Sequence, residues 1–253
     1  MTDLAEDLTR SLLIDAGISS GMRVLDIGCG RGDVTLLAAG LVGEQGRVLG
    51  IDRDPAAIEV AKGRAREAGL AHVDFALIDI DALTSDHGPF DAVVCRRVLM
   101  YQRDVVATLR KLAAVLAPGG LIAIQEHDLT AMPICRPAMP LHELVQSWMA
   151  RTIAHEGATH HMGLELWQAL HAAGFEVERV RAEATVLTPD QAHPIGIGRI
   201  ARAMLPRIEA AGVATAEEID VDTLDDRLLA ERRDTGGSCI LEMVFGAWAR
   251  KKS

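Results

Sequence analysis

Between residues 22 and 127, short apolar runs alternate with longer stretches of helical period. No other feature of the chain constrains its fold as tightly. "MRVLDIG", "GRVLGID", "HVDFALID", "PFDAVVCR" and "LIAIQEH" read as five strands. Each is close to continuously apolar, as a strand covered on both faces must be. Between them, "DVTLLAAGLV", "DPAAIEVAKGRAREAGL" and "DVVATLRKLAAVLAPGG" read as helices. The second has a clear start and stop, with Asp54 as N-cap, Pro55 at the first helical position and Gly69 at the end. The third places Val105, Leu109, Leu112 and Leu116 on one face and stops at Pro118-Gly119-Gly120. Such alternation implies right-handed crossovers and a parallel sheet with helices on both faces, a doubly wound α/β fold.

Outside that region the rhythm differs. Leu4, Leu8, Leu12 and Leu13 mark a short amphipathic helix over 4–16. After His127, "MPICRP" leads to a helix around "LHELVQSWMARTIAHEG", then a core-type helix "GLELWQALHAAGF" and an alternating strand "EVERVRAEATV". Two further helices are expected, "IGRIARAMLPRIEAAG", kinked or broken at Pro206, and "TAEEIDVDTLDDRLLAER". The strand "CILEMVFGAWARK" comes last, making seven strands in all. The 253 residues suffice for one domain with a sizeable core. The core is expected at about 18–128, 163–186 and 237–250, with helical cap insertions at about 129–162 and 188–236.

The loop after the first strand, "VLDIGCGRGD", sets Gly28, Gly30 and Gly32 at alternate positions. In an open parallel sheet, ligands bind beyond the carboxyl ends of the strands. Bare backbone there lets a ligand lie against the main chain. Two ligands fit such a loop, a dinucleotide or S-adenosylmethionine. The dinucleotide fingerprint G-x-G-x-x-G places its third glycine at residue 33, which is Asp33. A carboxylate there opposes a phosphate, while the ammonium of S-adenosylmethionine tolerates carboxylates such as Asp26. Asp52, at the end of the second strand, suits the two hydroxyls of an adenosine ribose. Asp79 suits an adenine amino group, with the Ile80 N–H reaching a ring nitrogen.

Composition narrows the partners. The net charge is −10, which argues against general affinity for nucleic acid or anionic membrane. Cys29, Cys95, Cys135 and Cys239 have neither zinc-ligand nor redox spacing. The acidic start "MTDLAEDLTR" lacks a signal-peptide pattern, and no apolar run reaches about 20 residues. A cytoplasmic location is expected, with no metal.

"VLDIGCGRG", "GIDRDPAAIEVAK", "IDIDAL", "FDAVVCRRVLMY" and "LAPGGLIAIQEHD" resemble, in order, the motifs of class I S-adenosylmethionine-dependent methyltransferases. The branch they resemble includes ubiquinone/menaquinone-biosynthesis enzymes and natural-product methyltransferases. The resemblance is strong over about 20–128. It implies a Rossmann-like, mostly parallel seven-stranded sheet whose last strand runs antiparallel. It implies that Gly28, Cys29 and Gly30 line the methionine and ribose portion. Asp26 would orient the loop, Asp52 would hold the ribose, and Arg53 would lie against the adenine. Asp79 and Ile80 would read the adenine, and Cys95 and Arg96 would offer backbone carbonyls to the ammonium. Met100 and Tyr101 stand where relatives often carry histidine.

The reaction so implied needs alignment of an acceptor above all. A general base is required for a phenol, hydroxyl or acidic carbon. Glu126 and His127, at the carboxyl end of the fifth strand, are the catalytic candidates, with Asp128 beside them. "HEGATHH" (His155, His160, His161) matches no established metal motif. The cap insertions are expected to roof the acceptor, lined by Trp148, Met149, Ile195 and Ile197, with Arg199 and Arg202 for an acidic group. A roofed site favours a small molecule, with O, C or N as the methylated atom and a homodimer as an available assembly. The alternatives are a dinucleotide-dependent oxidoreductase and a non-catalytic S-adenosylmethionine-binding protein.

Overall fold

The computed structural model describes residues 4–130, 134–191 and 197–252. A first helix, α1 (Leu4–Asp15), precedes the alternating region of β1 (Arg23–Ile27), α2 (Asp33–Val42), β2 (Arg47–Asp52), α3 (Pro55–Glu67) and β3 (Val73–Leu77). The alternation continues through β4 (Phe90–Arg96), α4 (Val105–Val115) and β5 (Leu116–His127). Then come β6 (Ile134–Arg136), α5 (Pro140–His155), α6 (Met162–Ala172) and β7 (Phe175–Leu187). The chain closes with α7 (Ile197–Ala210), α8 (Ala216–Ile219), α9 (Leu224–Thr235) and β8 (Ser238–Lys251).

Strands β1 to β5 lie parallel in the order β3-β2-β1-β4-β5. Beyond them β8 runs antiparallel to β5, and β7 pairs along the other edge of β8. The sheet holds eight strands among the described residues, one more than the sequence predicts. The addition is β6, which pairs antiparallel with the first residues of β8, beyond the end of β5. Three residues are too few for alternation to register, so the sequence gives no sign of it.

Helices cover both faces, which is why the central strands carry no polar alternation. One layer packs Leu12, Leu37, Ala38, Val42 and Trp248 against Val24, Val48, Val94 and Leu121. The other packs Leu109, Leu112, Leu166 and Leu170 against Leu25, Ile51, Val93, Ile122 and Ile124. Helix starts follow the expected chemistry: Asp54 accepts from the Ala56 N–H at 2.9 Å, and Asp104 from the Ala107 N–H at 2.8 Å.

A third apolar cluster joins the two insertions. Met139, Val145 and Trp148 pack with Ala201, Ile208, Ile219, Leu224 and Leu228. Pro206 lies within α7 without ending it. The predicted helix over 215–232 is instead two, because Asp220 turns left-handed at φ 46° and caps α8. Strand order reverses between β1 and β4, so the carboxyl ends of these strands open the crevice where a ligand belongs.

Candidate active site

The glycine loop leaves β1 at that crevice, and each of its glycines has positive φ: Gly28 at 61°, Gly30 at 52° and Gly32 at 86°. The need for glycine differs between them. A Cβ on Gly28 would stand 2.6 Å from Val98 Cγ2, and one on Gly32 would stand 3.1 Å from the Phe75 ring. A Cβ on Gly30 would meet nothing within 4 Å. Gly30 therefore borders open space, while Gly28 and Gly32 are held by neighbours.

Asp52 fixes the loop. Its Oδ2 accepts the Gly30 N–H at 2.8 Å and its Oδ1 accepts the Asp54 N–H at 2.9 Å. The Cys29 N–H donates to the Ile51 carbonyl at 2.9 Å. Two oxygens offer about four lone-pair sites, so capacity for two hydroxyl donors remains. Asp79 accepts the Asp81 N–H at 2.8 Å and so caps the short turn Ile80–Ala82, leaving Ile80 at the first position, whose N–H has no partner within a helix. Asp79 and Arg53 are exposed at the outer ends of β3 and β2. Cys29, Cys95 and Asp26 are buried. Asp26 accepts the Thr35 hydroxyl at 2.5 Å, and burial pushes its carboxyl up to about 7. Burial likewise raises both thiols.

Asp33 is not the lone carboxylate that the sequence implies. Burial would raise it, yet the hydrogen bond and charge of Arg64, with Arg96 and Arg97 nearby, hold it below the usual range. Arg64 pairs with it at 2.6 Å and Arg96 at 3.2 Å. Asp33 also opens α2, where a helix dipole favours negative charge. Its repulsion of a phosphate is thus largely offset, and glycine spacing must separate the two ligand readings. Arg96 also donates to Thr9 Oγ1 at 3.2 Å, and Thr9 donates to Gln125 Oε1 at 2.7 Å. This chain of bonds ties α1 across the ends of β4 and β5. The pairing of the Arg96 side chain with Asp33 and Thr9 escaped the sequence reading.

The two predicted catalytic residues occupy opposite faces of β5, as successive strand residues do. Glu126 has no exposed surface. Its Oε1 accepts the Val98 N–H at 2.9 Å and the Leu99 N–H at 2.7 Å. Burial pushes its carboxyl up to about 7, despite these bonds and the charge of Arg97. It anchors a turn, and its inaccessibility argues against a base acting on an acceptor. His127 is half-buried, and burial, then Arg97 and Arg96, lower it to about 3. An imidazole so depressed stays neutral at physiological pH and accepts a proton weakly. Asp128, also buried, is bonded to the Thr130 N–H at 3.0 Å and its hydroxyl at 2.5 Å.

The cap reaches this edge from both insertions. The Thr159 N–H donates to the Met100 carbonyl at 2.7 Å, and the Leu129 N–H to the His160 carbonyl at 2.9 Å. Arg207 of α7 pairs with Glu156 at 2.5 Å and with Tyr101 Oη at 3.5 Å. Trp148 and Met149 belong to the apolar cluster of the cap itself. Arg202 pairs with Asp222 at 2.5 Å, and Arg199 is exposed. Ile195 and the side chain of Ile197 lie outside the described residues. Arg207 and Glu156 are absent from the sequence reading, and Tyr101 enters it only as a departure from its relatives, since nothing in the one-dimensional pattern links positions so far apart.

Comparison with known proteins identifies the family. A family model described as a methyltransferase domain matches residues 18–185, more than half of the chain. Over 102 residues the chain is 41% identical to a ubiquinone biosynthesis O-methyltransferase of Methylocella silvestris, covering 40% of this chain and 38% of that protein. Over 104 residues it is 40% identical to an aklanonic acid methyltransferase of a Streptomyces species (strain C5), covering 41% and 47%. The chain thus spans half or less of the length of these curated relatives. A solved structure described as a putative methyltransferase from Bacillus halodurans superposes with a TM-score of 0.62 at 15% identity, over 97% of this chain and 99% of that one.

Proposed function

This chain belongs to the methyltransferase domain family, and on that premise we propose that it transfers a methyl group from S-adenosylmethionine to a small-molecule acceptor. The observation that carries the reading is Asp52, which holds the Gly30 N–H at 2.8 Å and keeps lone pairs for a ribose beside the open space at Gly30.

When bound, S-adenosylmethionine supplies an electrophilic methyl group on a sulfonium, whose leaving group needs no protonation. Asp52 anchors the ribose, and Asp79 with the Ile80 N–H meets the adenine. Gly28, Cys29 and Gly30 carry the methionine portion along the end of β1. Cys95 and Arg96 offer carbonyls at the end of β4, while the Arg96 guanidinium stays bound to Asp33 and Thr9. The acceptor enters on the β4–β5 side, under the segments at about 129–162 and 188–236. Their hydrogen bonds to Met100 and Tyr101 bring the cover to the crevice. With Glu126 buried and His127 a weak base, alignment of the acceptor supplies most of the rate.

Acidic net charge and a covered crevice support a small molecule over nucleic acid or a membrane surface. No helix among the described residues is long and apolar enough to cross a membrane. Four free, buried cysteines suit a reducing cytoplasm, and a homodimer is the assembly we propose. Incubation with methyl-labelled S-adenosylmethionine and a small-molecule extract, followed by mass spectrometry, tests the function. The label should appear in a low-mass product with wild-type protein and fall below detection with Asp52→Ala. Label confined to macromolecules, or equal transfer by both proteins, contradicts it.

A further inference from the structure

At the carboxyl end of β5, two successive residues grip one turn. The Gln125 carbonyl accepts the Arg97 N–H at 2.9 Å. Glu126 Oε1 accepts the next two amides, those of Val98 and Leu99, at 2.9 and 2.7 Å. Arg97 itself has φ 59°, a left-handed conformation that residues with a Cβ avoid. Such a backbone persists only where its surroundings hold it. The turn is seated on the glycine loop without a gap, since Val98 Cγ2 would stand 2.6 Å from a Cβ on Gly28. It continues into Met100, whose carbonyl takes the cap's Thr159 N–H.

We propose that Glu126 is a positioning residue that seats the Arg97–Leu99 turn on the glycine loop, so that its protonation state tunes the grip on S-adenosylmethionine. The inference rests on the cofactor reading above. One carboxyl oxygen carries both amides, while Oε2 is buried without a partner among the described residues. An ionised carboxylate accepts amide bonds about twice as strongly as a neutral acid. The turn is therefore held harder when Glu126 is charged, and by reciprocity cofactor binding favours the charged form. Its titratable and charged neighbours are Arg97 on the turn, Cys95 on β4 and Asp128 just past the end of β5. Asp26 lies below the loop and also titrates near neutrality. It is common to every variant below, so differences between them report Glu126.

The test combines amide NMR of Val98 and Leu99 with calorimetry of S-adenosylhomocysteine, from pH 5.5 to 8.5. In the wild type both amides should move together with one midpoint, and affinity should rise about threefold to tenfold with pH. Glu126→Gln keeps an acceptor but cannot ionise, so both amides should stay flat and affinity should remain at the wild-type acid level. Glu126→Ala should bind about tenfold or more weakly at every pH. The proposal is overturned if the Gln variant follows the wild type in both readouts, or if the Ala variant binds like the wild type. If the Ala variant does not fold, the Gln variant decides. Loss of wild-type binding removes the cofactor reading as well, whereas flat wild-type amides alone remove only the role of Glu126.

Discussion

Asp52 and Glu126 are both acids at strand ends, yet they do different work. Asp52 is partly open and divides two oxygens between two amides. Glu126 is closed off and gives one oxygen to two amides. Asp52→Ala should weaken S-adenosylhomocysteine binding by about 1.5–3 kcal/mol per charged hydrogen bond lost, read by calorimetry. Unchanged affinity would show that the ribose lies elsewhere. His127 offers a different check. Burial, with Arg97 and Arg96, holds its folded value near 3, so it is neutral from pH 5 to 8 and contributes no limb to the rate profile there. His127→Gln should preserve the shape of that profile, and disappearance of a limb near pH 6.5 would restore histidine as a base. The sequence makes Asp52 legible because its place at a strand end, soon after a glycine loop, is a local pattern. The roles of Glu126 and His127 depend on which face of β5 is covered and on Arg97 above it, and neither is local.

The elements carry their own strain and their own fastenings. Gly28→Ala should cost roughly 2–5 kcal/mol, from a left-handed Cβ plus overlap with Val98. Gly30→Ala should cost only about 1–2 kcal/mol, since nothing stands near its Cβ. Urea titration separates the two, and equal losses would contradict the loop geometry. In the cap, Glu231 accepts the Leu141 and His142 N–H groups at the start of α5, and lies 2.7 Å from His142 Nδ1. Buried Arg232 meets His142 Nε2 at 2.9 Å, the Gln191 carbonyl at 2.6 Å and the Thr188 carbonyl at 3.3 Å. Arg232 has only donors, so His142 is neutral with its proton on Nδ1. Burial depresses its basicity, with the Arg232 charge acting the same way and Glu231 opposing. The stability contribution of His142 is complete above about pH 6.5 and is lost as pH falls through its lower folded value. Arg232→Met should cost about 3 kcal/mol or more by stranding three acceptors. A loss below 1 kcal/mol would show that the cap does not depend on this network. The core helices were legible because amphipathic period and caps coincide, as at Asp54 and Pro55. The break at Asp220 was not, because a non-glycine residue in the left-handed region leaves no mark in the helical period.

Across the whole molecule, the sheet brings two buried acids to the same crevice. Asp26 and Glu126 are both raised by burial to about 7, above an unfolded value near 4. Their contribution is complete below about pH 4 and is lost as pH rises through about 7, because folding then holds charge in a dry place. The melting temperature should therefore decline between about pH 4 and 7 and level off above, and Asp26→Asn should flatten that decline. A wild-type melting temperature rising over this interval, with Asp26→Asn unchanged, would contradict the burial argument. The parallel half of the sheet was legible from its alternation of apolar runs and helices. The eighth strand and the shared core of the two insertions arise from contacts between segments distant in sequence, which gather Trp148 and Leu224 into one apolar cluster. The most direct test of the account is calorimetric titration of the wild-type protein and Asp52→Ala with S-adenosylhomocysteine, set beside reduced nicotinamide dinucleotide. We predict saturable one-site binding of S-adenosylhomocysteine by the wild type, a large loss in the variant and no heat from the dinucleotide. Saturable binding of the dinucleotide, with none of S-adenosylhomocysteine, would contradict it.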